Sequence, residues 1–149
     1  MTTDRELLAK LWDEGWTAGL WAASWGRSVA DLTAEQAAWT PANGRHSIWQ
    51  IVLHMCFWNE DAIRHLKDPT PNSPERLAEH NFPAINDASQ AAWNATIKRF
   101  KSSHDAIAKV IADPAIKDAS RLVYLVPHNS YHIGQINYLR SMMGKPPIE

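Results

Sequence analysis

Between Ile48 and Trp58 only Gln50 and His54 are polar. A helix that is apolar nearly all round has to be buried, so this stretch needs partners on every side. Its start is marked by Ser47-Ile48-Trp49-Gln50, a capping box in which the Ser47 hydroxyl accepts from the Gln50 N–H and the Gln50 side chain reaches back. The second half, from Asn59-Glu60-Asp61 to Arg64-His65-Leu66-Lys67, returns to a solvated pattern and carries the helix to about Leu66.

The partners are legible on either side. A first helix is predicted from about Asp4 to Ser24, where Leu8, Leu11, Trp12, Gly15, Ala18, Gly19, Ala22 and Trp25 recur at three- and four-residue steps. A second row of Leu7, Trp16, Leu20 and Trp21 widens its apolar stripe. Core packing is the expected use of most of these tryptophans, with one or two of them lining a pocket or a dimer face as the alternative. Gly15 and Gly19 each lower helix propensity by about 1 kcal/mol relative to Ala, which close approach by a neighbouring helix would offset. A short helical turn follows over Asp31–Trp39, ending before Pro41, and Asn43-Gly44 is a turn signal.

Asp68 to Pro83 holds Pro69, Pro71, Pro74 and Pro83 and cannot be one helix. It reads as a crossover connection, a lid or a strap over one end of a bundle. A third helix spans about Asn86 to Ala112 with Trp93, Ile97, Phe100, His104, Ile107 and Ile111 facing inward. A fourth occupies about Ser120 to Met143, closed by Gly144 and Pro146-Pro147. Pro127 lies inside it, as a kink or as the first turn of an independent helix. A kink is expected, because Leu122, Tyr124, Leu125 and Val126 continue the apolar pattern upstream. No strand pattern and no internal repeat occurs. The expected fold is all-α, a four-helix bundle with one long crossover, forming a single domain over residues 1–149.

The formal net charge of −1 implies no basic face for nucleic acid, and no apolar run approaches the roughly 20 residues that cross a bilayer. The polar opening Met1-Thr2-Thr3-Asp4-Arg5-Glu6 carries no signal-peptide pattern, and Cys56 is the one cysteine, so a reducing, cytoplasmic setting is expected. Eight tryptophans are many for 149 residues and imply large rings to bury or a large ligand-facing wall.

The chemistry-bearing residues sit in these apolar helices. His54 stands where a core would place Leu or Ile. His128 and His132 are four residues apart in the fourth helix, so their Cβ atoms lie about 5–6 Å apart on one face. Helices pack at about 8–10 Å, which lets imidazoles from both meet one ion. Three neutral histidines form a known catalytic zinc set with an open position for water or substrate. The competing reading is three core histidines, each hydrogen-bonded to its own neighbour. Imidazole suits zinc, nickel, copper and iron alike, and the absence of a carboxylate weakens an iron oxygenase reading. Gln135, one turn beyond His132, is a candidate to orient a ligand or bound water, or else a helix–helix hydrogen bond. Tyr124, one turn before His128, is a second candidate for the same cavity, and Gly134 is expected to let another helix pack closely. His104 is the main decoy, and His46, His65 and His80 read as surface groups. Cys56 reads as a small buried hydrophobe.

Arg45-His46-Ser47-Ile48-Trp49-Gln50-Ile51-Val52-Leu53-His54 with Trp58, and Val126-Pro127-His128-Asn129-Ser130-Tyr131-His132-Ile133-Gly134-Gln135-Ile136 with Leu139-Arg140, resemble the motifs of the DinB-like superfamily. The resemblance covers essentially the whole chain, including the Pro-rich crossover and the Trp93 helix. It implies a four-helix bundle with an unusual helix order, often a homodimer, whose three motif histidines bind zinc or nickel. Those histidines fall on His54, His128 and His132. The resemblance further implies one of two activities on a small-molecule substrate. One is a thiol-dependent transferase using a low-molecular-weight thiol of the glutathione, bacillithiol or mycothiol type. The other is a metal-dependent hydrolase. A non-catalytic metal-binding or dimerising bundle is the third expectation.

Overall fold

The computed structural model describes residues 3–148. Seven α-helices are described: α1 (Asp4–Thr17), α2 (Trp25–Ala30), α3 (Ala34–Ala38), α4 (Ile48–Lys67), α5 (Pro74–His80), α6 (Gln90–Ala112) and α7 (Leu125–Met142). A 3-10 turn over Ser120–Tyr124 leads into α7. The described residues contain no strand, and the fold is an all-α bundle. No described helix is long and apolar enough to cross a membrane.

Of the four longest helices, α1 packs on α6 and α7, and α4 packs on the same two. Helices α1 and α4, successive among the long ones, therefore stand at opposite corners, and α7 borders α4. The apolar half of α4 lies in the middle of the core, with Ile48, Val52, Met55 and Cys56 fully buried. Its Ser47–Gln50 capping box forms as the residues require.

The first helix is shorter than its periodicity predicts. The N–H groups of Ala18 and Gly19 both donate to the Glu14 carbonyl, and Gly19, Leu20 and Trp21 all have positive φ, at 80°, 52° and 68°. A left-handed residue after the last turn is a common helix stop, and glycine adopts it without strain. Gly19 thus terminates a helix rather than easing a helix contact. Trp21 projects fully into solvent, against the core reading, while Trp12 and Trp25 are 1% exposed. After the turn, α2 returns Trp25 onto α1. A Cβ on Gly15 would lie 2.5 Å from Trp25 Cζ2, so the expected close approach at this glycine comes from an indole of α2.

Pro127 does not kink a longer helix. It is the third residue of an α-helix that starts at Leu125 after the 3-10 turn. The first four N–H groups of a helix have no internal partner, so proline there removes no hydrogen bond. The Pro-rich crossover contains α5, begun by Pro74 and capped by the Ser73 hydroxyl. Its far end, Asn81–Pro83, crosses α4: Gln50 Nε2 donates to the Pro83 carbonyl at 3.2 Å, and Trp58 Nε1 donates to Asn81 Oδ1 at 2.9 Å. The crossover is a strap rather than a detached lid.

Candidate metal centre

His54 projects from the middle of α4, and His128 and His132 from successive turns of α7. One ring nitrogen from each lies within 4.8 Å of the other two. His54 Nε2 and His128 Nε2 are 3.1 Å apart. The expectation that two helices aim three imidazoles at one point holds.

The other ring nitrogens are engaged outward. His54 Nδ1 lies 2.9 Å from the backbone carbonyl of Asn81. A carbonyl only accepts, so Nδ1 carries the proton and Nε2 a lone pair. His132 Nδ1 lies 2.7 Å from Gln135 Oε1, and His128 Nδ1 lies 3.2 Å from Asn129 Oδ1. In this arrangement all three Nε2 atoms turn lone pairs on a common space. A cation at their focus would bind all three; without one, His128 can instead carry its proton on Nε2 and donate it to His54 Nε2 across the 3.1 Å. This is the donor set of an open divalent-metal site, and no Cys, Asp or Glu joins it among the described residues.

A family model for the DinB superfamily matches residues 17–136. The chain belongs to the DinB superfamily. No curated protein and no solved structure matches it significantly.

In this DinB-superfamily chain the cluster is buried yet borders open space. Burial lowers the pKa of all three histidines, and His54 is pushed down to about 4 by burial and then by the neighbouring His132. The rings therefore stay neutral, the form that binds metal. A cleft of about 950 Å³ opens on one side, with Arg45, Phe82, Tyr131, His132 and Gln135 in its wall. A second of about 640 Å³, sharing Phe82, Tyr131 and His132 with the first, is bordered by His54, Trp58, Tyr124 and His128. No Asp or Glu lines either.

Gln135 contacts the cluster directly through His132, and its Nε2 donates to the Tyr131 hydroxyl at 3.1 Å. Tyr124 is largely exposed at the mouth of the smaller cavity. Gly134 does not admit a neighbouring helix: a Cβ there would meet nothing within 4 Å, and the residue lines the larger cleft. His104 belongs elsewhere. It stacks on Trp12 with ring centroids 5.0 Å apart, and its Nε2 donates to the Trp12 carbonyl while Trp12 Nε1 donates to the His104 carbonyl. His46 is exposed, as expected, but its ring stacks on Phe82. His65 and His80 are half-buried rather than free surface groups. Cys56 is a buried thiol pushed up to about 12 by burial, consistent with an inert core residue.

Two contributors were not visible in the sequence. Asn81 acts mainly through its backbone carbonyl, which any residue supplies, with a smaller contribution from its side chain. Phe82 stacks on His54 with centroids 4.1 Å apart and planes 9° apart. Both come from the crossover, where no periodicity marks which residue faces the bundle. Tyr131, exposed on α7, borders both cavities.

Proposed function

We propose that His54, His128 and His132 hold a divalent ion, zinc or nickel, and that the protein is a transferase that joins a low-molecular-weight thiol to an electrophilic small molecule. The observation that carries this reading is the convergence of three Nε2 lone pairs on one point bordered by open clefts. An ion that merely tied α4 to α7 would call for a fourth protein ligand and a closed cavity. A divalent ion bound by three neutral imidazoles keeps its full charge and acidifies a bound thiol or water.

The chain's own residues supply the rest. The Asn81 carbonyl and Gln135 Oε1 hold His54 and His132 in the metal-binding tautomer. Arg45, the one cation in the wall of the larger cleft, suits a carboxylate on the thiol cofactor. Phe82, Trp58 and Tyr131 give apolar surface for the electrophile. The thiol gives up its proton to solvent; as sulfur bonds to the electrophilic carbon, the leaving group departs with the bonding pair, and Tyr124, exposed beside the smaller cavity, is the candidate to hydrogen-bond it. Hydrolysis fits less well, because neither cleft offers a carboxylate base to water.

Metal content of the untagged protein and activity on a chromogenic electrophile, with and without glutathione, bacillithiol or mycothiol, test the proposal. The expected result is one metal ion per chain and product only with thiol, both lost in His132→Ala. Full metal content in His132→Ala, or turnover indifferent to thiol, refutes it.

A further inference from the structure

His54 takes its tautomer from a backbone carbonyl, but His128 faces a side-chain amide, which can present either end. What sets that amide is a buried polar chain running away from the metal site. Asn129 Nδ2 donates to Asn59 Oδ1 at 3.2 Å, Asn59 Nδ2 donates to Ser103 Oγ at 3.1 Å, and the Ser103 hydroxyl donates to the Phe100 carbonyl at 2.8 Å. Asn59 and Asn129 are 0% exposed and Ser103 is 4% exposed. One link comes from each of α7, α4 and α6.

The chain has a direction. Its far end is a backbone carbonyl, which accepts and never donates. With the Ser103 hydroxyl donating there, Ser103 Oγ accepts from Asn59, Asn59 Oδ1 accepts from Asn129, and Asn129 Oδ1 is left to accept from His128 Nδ1–H. Run the other way, the bond to Phe100 is lost, and Asn129 donates to His128. The imidazole proton then moves to Nε2, where it donates to His54 Nε2 at 3.1 Å and blocks a metal, so the buried chain and His54 compete for the one proton of His128.

We infer that Asn59 and Ser103 are positioning residues that set the tautomer of His128, and so its competence as a ligand, from the opposite side of the bundle. The metal-affinity part rests on the site proposed above; the tautomer part does not.

Long-range ¹⁵N–¹H spectra of the metal-free, histidine-labelled protein report which ring nitrogen carries the proton, and competition with a chromophoric chelator reports zinc affinity. Wild type is expected to show His128 as Nδ1–H. Ser103→Ala, a small change that keeps the fold, is expected to show mixed tautomers and a zinc affinity about tenfold weaker, the low end for residues that orient a ligand. Asn59→Leu is expected to do the same. Ser103→Thr, which keeps the hydroxyl, is expected to restore both. Asn59→Asp separates positioning from stability: it lowers Tm by burying a charge, yet it accepts from both neighbours and keeps His128 as Nδ1–H. The inference is overturned if His128 is Nε2–H in wild type, or if Ser103→Ala and Asn59→Leu leave tautomer and affinity unchanged. A wild type that binds no zinc refutes the proposed function, while the metal-free spectra still decide the tautomer.

Discussion

Two glycines in helices of this bundle predict opposite responses to the same substitution. Replacing glycine by alanine inside a helix gains about 1 kcal/mol from propensity and the narrower unfolded ensemble. At Gly15 the new methyl would lie 2.5, 2.7 and 2.8 Å from three atoms of the Trp25 ring. That ring is 1% exposed and held edge-on by Trp12, with centroids 5.1 Å apart, so it cannot swing away. Overpacking of this kind costs about 1–3 kcal/mol; at such short separations the upper end applies. The net for Gly15→Ala is a loss of about 2 kcal/mol, or roughly 4–8 °C in Tm for a chain of this size. At Gly134 a methyl meets nothing within 4 Å. Gly134→Ala is therefore expected to raise stability by about 0.5–1 kcal/mol, a Tm increase of roughly 1–4 °C. Thermal and guanidinium unfolding of the metal-free proteins measures both. A Gly15→Ala variant as stable as wild type would refute the packing of α2 on α1. A destabilised Gly134→Ala would mean that a neighbour does press on α7.

Acid should affect the metal site late. Three imidazoles at the ordinary pKa of about 6.5 would lose more than about a hundredfold in metal affinity between pH 6.5 and 5.5. Burial lowers all three here, so a clearly smaller loss is expected in chelator competition at the two values. The same shifts act on folding. An unfolded chain takes up protons below about pH 6.5 that the folded chain refuses until His54 titrates near 4, so the metal-free protein loses stability as pH falls through that window. Urea midpoints taken from pH 7 to pH 4.5 check this, and a midpoint that rises on acidification contradicts it. Cys56 should resist iodoacetamide at pH 8 in the native state and react once unfolded, as mass spectrometry would read. Fast native alkylation would show that the core opens around α4.

What was legible in the sequence followed from periodicity. The apolar run of α4, the inner row of α6 and the i, i+4 pair in α7 each repeat over several turns, so the long helices and the three histidines could be read and brought together. The exceptions came from single backbone torsions and local caps. Nothing in the spacing of Leu20 and Trp21 foretells their positive φ, so α1 reads on past Thr17 and Trp21 reads as core. Continuous apolar spacing likewise carries the eye through Leu125, where a 3-10 turn changes pitch. Asn59 opens the polar half of α4 and reads as solvated, yet it is fully buried because α6 and α7 both close over that turn. Its partner Ser103 carries no motif at all.

The hold of the crossover on His54 passes through the oxygen of a peptide bond. Substituting Asn81 removes the amide that meets Trp58 but leaves that oxygen in place. Side-chain scanning is blind to that backbone contact and reports only the smaller hydrogen-bonding effect of the Asn81 side chain on the imidazole. What selection has to preserve is the route of the main chain, set by the prolines and by the anchorage of Gln50 on Pro83. Changing the length of this connection should therefore disturb the metal site more than any point substitution at Asn81.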